Sequence, residues 1–364
     1  MNIHHIDVIQ IETPRYYGHV SGHLLVGVHT ESGLIGLGEA SDSRGTDLPK
    51  IAEQFKDLLV GRDAREITAI NELLQAHEFQ VSISDLHLTS AIDLALYDLN
   101  GKAQGVPAYQ LMGGKVRERI YCCYPIFGWQ VLEDFERAAG YLKRLVDLGH
   151  HLFRYYISGD AALDDRFLTD MKTRFGDTMR LKSIDLSGRF NDWEQAVRYA
   201  EVLRHHNPYH FEQPSRDMRV SAEFVKRVDL HVSWHINTLR QGFDAIDQGA
   251  CTVFNMACVA SGPTNIRRIF ALAEAAGIKC LIGTDQESTL GTSAQVAVGV
   301  SVPNLDLPCD PMGPVLYTTS PARERIRAEA SHLYPSEAAG LGVELDEQKM
   351  AEMTIAVAST KDIL

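Results

Sequence analysis

Two carboxylates stand out among the residues whose type and spacing suit chemistry. Asp185 closes the run Leu181-Lys182-Ser183-Ile184-Asp185, and Glu212 closes Tyr209-His210-Phe211-Glu212. Both runs have strand character, and one strand-plus-helix repeat separates the two acids. In a parallel sheet they would leave adjacent strands at the C-terminal edge, where α/β barrels gather metal ions and reacting groups. Two acids side by side there suit a divalent cation. They also suit an ordinary role as helix caps, and Asp185-Leu186-Ser187-Gly188 is an ordinary turn sequence.

The elements that would position these acids follow from periodicity. Ile6–Thr13, Leu24–His29 and Leu34–Glu39 alternate as three antiparallel strands, with Glu31-Ser32-Gly33 as a tight turn. Apolar residues then recur every three or four positions near 47–60, near 65–78 and over Ser84–Gln104, which predicts helices ending at Gly105-Val106-Pro107. Together these make an α+β cap over residues 1–115. From Arg119 onward, short apolar runs alternate with amphipathic helices: Ile120–Ile126, Leu152–Ile157, Arg180–Leu186, Tyr209–Glu212, Val232–Ile236, Thr252–Met256 and Lys279–Gly283. A degenerate eighth run lies near Leu305–Cys309. This pattern predicts a (β/α)7-8 TIM-like barrel over residues 116–319. No Gly-x-Gly-x-x-Gly follows any strand, which disfavours an open dinucleotide-binding sheet. The segment from about 320 to 364 is expected to pack back on the cap.

Composition limits the function classes. The chain has 364 residues, 45% hydrophobic and 23% charged, enough for two domains with a sizeable core. Its 48 acids against 35 bases leave a net charge of −13, with no basic cluster for nucleic acid or an anionic membrane. Met1–Asp7 lacks the basic start and apolar core of a signal peptide, and no apolar run approaches a membrane span, so a cytoplasmic location is expected. The six cysteines form no Cys-x-x-Cys pair and are expected to be reduced core thiols. His150-His151 and His205-His206 are expected in a loop and at a solvated helix end.

Three segments carry a family resemblance: the helix Ser90–Gly105 running into Pro107-Ala108-Tyr109-Gln110-Leu111-Met112-Gly113-Gly114, the cap-then-barrel order, and the late Gly283-Thr284-Asp285-Gln286-Glu287-Ser288-Thr289-Leu290-Gly291-Thr292. They resemble the enolase superfamily, in its mandelate racemase / muconate lactonizing enzyme branch. The resemblance implies removal of a proton α to a substrate carboxylate. It also implies Mg2+ held by three acids on the third, fourth and fifth barrel strands to stabilise the enediolate. A second negative charge on a carboxylate is prohibitive without such help. Asp185 and Glu212 match the first two ligand positions.

The third ligand and the bases depart from the family pattern. The fifth run reads Ser233-Trp234-His235-Ile236-Asn237-Thr238, so Asn237 is the expected equivalent of the third acid. His235 shares a strand face with it and is expected to point inward towards substrate, although imidazole suits softer metals than Mg2+. The family's Lys-x-Lys on the second strand becomes Arg154 and Tyr156. Arg154 can grip a carboxylate but cannot act as a base, whereas Tyr156 can exchange a proton. Tyrosines there are also often plain packing. Residues 251–263 contain no Lys, Asp, Glu or His, which leaves Asn255 as the long polar side chain of the sixth strand. Asp285 is the acid of the seventh strand end, and Glu287 matches a family acid near the substrate carboxylate. His19 and His23 lie in the loop Pro14–Leu24, which resembles the family's specificity lid and is expected to touch substrate.

Two functions are compatible with this pattern. One is a lyase or isomerase acting on a small carboxylic acid by α-proton abstraction, as a dehydratase, racemase or epimerase, or cycloisomerase, with an atypical base set and a weakened Mg2+ site. The other is a metal-independent or non-catalytic small-molecule-binding paralogue. The family resemblance further implies a homo-oligomer.

Overall fold

The computed structural model describes residues 1–41 and 44–363. The chain opens on three antiparallel strands, β1 (Ile3–Pro14), β2 (Val20–Thr30) and β3 (Ile35–Ser41), each longer than the apolar alternation alone marks out. Helices α1 (Leu48–Leu59), α2 (Ile67–Gln75) and α3 (Asp85–Gln104) cover one face of this sheet. Helix α3 is buried on every side from Leu88 to Gly101, because it lies between the cap sheet and the barrel. Its approach to β3 depends on glycine: a Cβ on Gly38 would lie 1.8 Å from the Ala91 carbonyl oxygen, and one on Gly36 would lie 2.1 Å from that of Ala95.

The barrel begins differently from the uninterrupted run seen in the sequence. Ile120–Ile126 splits into β4 (Ile120–Tyr121) and β5 (Tyr124–Phe127). The cause is a later hairpin, β12 (Ala328–Glu329) and β13 (His332–Leu333), which pairs with β4 and draws it out of the barrel wall. Six further parallel strands follow: β6 (Leu152–Tyr156), β7 (Arg180–Asp185), β8 (His210–Glu212), β9 (His231–His235), β10 (Val253–Met256) and β11 (Lys279–Ile282). They hydrogen-bond in unbroken order from β5 to β11. A helix follows each strand, and Asp134, Asp160, Asp192, Asp217, Thr238 and Ser288 accept first-turn N–H groups of six of them.

The eighth place is taken by extended chain rather than a regular strand. Asp306 and Leu307 donate to the Cys280 carbonyl and Asp310 to that of Ile282, while Cys309 donates to Tyr121 and accepts from Cys123. The ring therefore closes, with Asp310 at the seam. Residues Thr354–Ser359 return to the cap as β14, antiparallel to β1. All six cysteines are buried and free. No helix among the described residues is long and apolar enough to cross a membrane. The two histidine pairs differ from expectation at one member each. His150 is buried, with Nδ1 3.1 Å from the Ser331 hydroxyl, and His206 is buried with Nε2 2.8 Å from Asp165.

Glu39 ties cap to barrel. It is fully buried on β3, accepts 2.7 Å bonds from the N–H groups of Ser288 and Gly291 and from the Ser288 hydroxyl, and lies 2.9 Å from His23 Nδ1. The cap thus satisfies the exposed amides at the start of the last barrel helix, Thr289–Ser301. Glu39→Gln removes the charge and turns one acceptor into a donor facing N–H groups. A loss of about 2–3 kcal/mol in urea-monitored stability is expected, and a change within 0.5 kcal/mol would show that this contact does not join the domains.

Candidate active site

Side chains from four other strands, β6, β7, β9 and β10, converge on Glu212. Register places Asp185 beside Glu212, Glu212 beside Ser233, and His235 beside Asn255. Glu212 Oε1 accepts from Arg154 Nη1 at 3.0 Å, from His235 Nε2 at 3.1 Å and from Asn255 Nδ2 at 2.9 Å. Its Oε2 accepts from the Ser183 hydroxyl at 3.1 Å and lies 3.8 Å from Lys182 Nζ. Arg154 Nη1 also lies 3.2 Å from Asp310 Oδ2, and Lys182 Nζ lies 2.5 Å from Asp310 Oδ1. Arg154, Lys182, Glu212 and Asp310 are all at most 2% exposed.

Charge sets the protonation states of this cluster. Burial pushes the Glu212 carboxyl up, but Arg154 and Lys182 pull it well below the ordinary value. Asp185 moves the other way, because burial and the charge of Glu212 outweigh the attraction of Arg154. Its Oδ1 accepts the Ser187 N–H at 2.7 Å. Desolvation lowers the His235 pKa, yet the hydrogen bond and charge of Glu212 and the charge of Asp185 raise it overall. His210, buried beneath Glu212, is driven strongly towards the neutral form by burial and by Lys182.

Above the cluster lies the mouth. Tyr156 stacks on Phe127 at 4.8 Å between ring centroids and meets the edge of Trp129, and its hydroxyl accepts a hydrogen bond from Arg154. The residue is therefore both packed and polar, and its own O–H remains a donor. Asp285, 35% exposed, pairs with His87 Nε2 at 3.1 Å across the boundary between barrel and cap. Burial pushes the Asp285 carboxyl up, but the His87 hydrogen bond, with the charges of His87, His235 and Arg154, holds it below the ordinary value. A cavity of about 270 Å3 opens beside it, lined by Arg15, His19, Arg44, Phe127, Trp129 and Asp285. A larger cleft of about 880 Å3 lies between α2, α3 and the barrel helix carrying Arg267 and Arg268, and none of the acids of the cluster lines it.

The remaining expected site residues have other surroundings. Asn237 lies two residues beyond β9: its N–H donates to Gln241 and its carbonyl accepts from Asn265, so it shapes the turn into the next helix, while His235 reaches Glu212. His23 is buried in the cap latch against Glu39 and edge-on to Tyr317, so it does not line the mouth cavity. Asn255 is buried and supports Glu212. Glu287 is buried beneath the loop, accepting from the Thr284 hydroxyl at 2.8 Å and from the Asp285 N–H at 3.1 Å.

Four polar residues of the site escaped the sequence reading. Lys182 lies within the run Leu181–Asp185, but strict alternation turns it outward. A register shift between Phe153 and Arg154 on the neighbouring strand disturbs that alternation. Asp310 follows directly on the degenerate eighth run. His87 belongs to the first turn of a cap helix, and Arg15 follows directly on the first cap strand, so only docking of the domains brings either to the mouth.

The backbone marks the same place. Six non-glycine residues among those described have φ between +44° and +65°, and Ser187, Gln213 and Gln286 each follow a mouth acid by one or two positions. Such conformations cost free energy and persist where the surroundings impose them, often at functional sites.

The divalent cation implied by the resemblance does not fit this donor set. Mg2+ needs open carboxylate oxygens in near-octahedral array. Glu212 is already saturated by donors from four residues, two buried cations adjoin it, and the imidazole of His235 on β9 is directed at it.

A parallel barrel closed by an α+β cap, with acids at the C-terminal ends of its strands, is an enolase-type architecture. The comparisons with known proteins agree. Residues 137–349 match the enolase C-terminal domain-like family, and residues 18–113 match the N-terminal domain of mandelate racemase / muconate lactonizing enzyme. The chain belongs to the mandelate racemase / muconate lactonizing enzyme branch of the enolase superfamily. It is 26% identical to muconate cycloisomerase 1 of Pseudomonas putida over 348 residues, covering 90% of this chain and 89% of that protein. Against muconate cycloisomerase 1 of Rhodococcus opacus it is 27% identical, covering 89% and 88%. The crystal structure of muconate cycloisomerase from Pseudomonas fluorescens superposes with a TM-score of 0.85 at 25% identity, covering 98% of this chain and 99% of that one. N-succinyl Arg/Lys racemase from Bacillus cereus has the same fold, with a TM-score of 0.83 at 22% identity over 99% and 100% of the two chains.

Burial and the nearby charges of Glu39 and Asp285 push the Glu287 carboxyl up to about 8. A raised folded-state value adds stability below the ordinary carboxylate range, and that stability is lost as pH climbs towards 8. Wild-type melting temperature should therefore fall between about pH 4.5 and 8 more steeply than that of Glu287→Gln, which keeps the neutral shape. Parallel profiles would show that Glu287 does not titrate there.

Proposed function

We propose that this protein is an isomerase acting on a small carboxylic acid, with proton exchange at the carbon α to the carboxylate. The observation that carries this reading is the His87–Asp285 pair, set at the mouth near His235 and Arg154. Imidazole suits proton transfer near neutral pH, and a carboxylate on one ring nitrogen fixes its tautomer and orientation. The familiar base positions of the family are altered in this chain, and His87 supplies from the cap what the sixth strand lacks.

In this reading the substrate carboxylate lies over His235, with Arg15 and Arg44 lining the adjoining cavity as further cationic anchors. His87 takes the α-proton, and Tyr156, three places away round the closed ring, faces the substrate from another side and returns a proton from its hydroxyl. The ring places follow from the order of β6 and β11 in the sheet and the seam at Asp310. Negative charge developing on the substrate is met by His235 and by the cationic floor of Arg154 and Lys182. Asp285 orients the base, while Glu287 and Asn255 support the loop and the floor. No step is assigned to Mg2+.

The relatives narrow the reaction class. The curated relatives include muconate and chloromuconate cycloisomerases, and a structural neighbour is a racemase, all isomerases by name. Cycloisomerisation and racemisation or epimerisation are accordingly favoured here over dehydration. A cytoplasmic location and a homo-oligomer belong to the same proposal, the former supported by six free buried thiols.

The test is 1H NMR of small mono- and dicarboxylic acids incubated with the protein in D2O. At least one acid should lose its α-proton signal. His87→Asn should slow that exchange by 10²–10⁴-fold, the usual range for a general base, and Tyr156→Phe should slow it while leaving binding nearly unchanged. Acids that bind without exchanging would instead identify a non-catalytic binder.

A further inference from the structure

We propose that Arg154 and Lys182 stand in for the divalent cation at the base of this barrel, so that the mouth operates without a metal ion. The proposal rests on the reading that the mouth is the active site, and extends it to the source of positive charge.

The charge balance is the first argument. The resemblance implies three carboxylates around one dication, a net charge of −1. Here the guanidinium and ammonium carry the same two positive charges as a dication, and they sit among three acids, Asp185, Glu212 and Asp310. The third acid is present in this chain, but on the eighth wall segment, and it faces Lys182 at 2.5 Å. The two cations are covalently part of the barrel, at most 2% exposed, and cannot exchange with solvent ions.

Geometry is the second argument. Arg154 contacts Glu212 and Asp310 through the same Nη1, at 3.0 and 3.2 Å, and its other terminal nitrogen donates to Tyr156. The guanidinium therefore joins the two acids to the proton-bearing hydroxyl at the mouth, a link for which its planar set of donors is suited. Serving as positive charge for a developing anion requires only a fixed cation beneath the reacting centre. A mobile dication would have to displace Arg154, His235 or Asn255 from Glu212 and share the space with two like charges.

The experiment reads metal binding without substrate, so its outcome is independent of whether the acids in the exchange assay turn over. Mn2+, whose free-ion EPR signal falls on binding, is titrated into metal-stripped full-length protein. Wild type should leave the signal undiminished to millimolar Mn2+, and Mg2+ or EDTA should not move its melting temperature. Arg154→Met, and the charge-balanced pair Lys182→Met with Asp310→Asn in case the first does not fold, should each bind Mn2+ at least tenfold more tightly than wild type. One Mn2+ bound per wild-type chain and lost in Asp185→Asn would overturn the proposal. So would folded variants that bind no more tightly than wild type.

Discussion

Glu212 is buried at the axis of the barrel, and a carboxylate there cannot remain ionised unless the protein itself supplies what water would have supplied. Arg154, His235, Asn255 and Ser183 donate to it, with Lys182 close behind, and Asp310 in turn holds both strong cations. Each member needs the others. Removing one charge from such a group strands its partner, at a typical cost of about 3–5 kcal/mol. The C-terminal half of the barrel is organised around this requirement. Strands β6 to β10 each contribute a polar inward residue, and the irregular eighth segment is held in place partly by the pairing of Asp310 with Lys182.

Such a floor prepares the space above it. With the cations fixed below, the rim carries Tyr156 on one side, His235 in the middle, and the His87–Asp285 pair on the other. Left-handed backbone at Ser187, Gln213 and Gln286 turns the chain sharply after the acids of three strands. The deep packing tolerates that strain because the strands beneath are pinned on both neighbours. The cap completes the arrangement through Glu39, which satisfies barrel amides, and through His87, which partners a barrel acid. Cap and barrel are thus joined both structurally and at the site itself.

The relatives share the architecture along nearly its whole length, at about a quarter identity. That combination is expected when core volume and element order are retained. Substitutions within an ion cluster cannot accumulate independently, since each intermediate would bury an unpaired charge. Arg154 on the second strand, Lys182 on the third and Asp310 on the eighth segment form one electrostatic set.

Much of the fold was legible in the sequence because hydrophobic periodicity and turn residues act locally. The alternation of short apolar runs with amphipathic helices marked seven barrel strands, and Asp185 and Glu212 were placed on adjacent ones by spacing alone. Local pattern could not foresee that a hairpin from residues 328–333 would split the first barrel run, since the pairing spans over 200 residues. Nor could it orient Lys182, whose inward turn depends on a register shift involving the neighbouring strand. His87 and Asp310 are unremarkable in their own segments. They become parts of the site only when the cap docks and the barrel closes, because ion pairing and hydrogen bonding depend on distance in space, whereas the sequence records only distance along the chain.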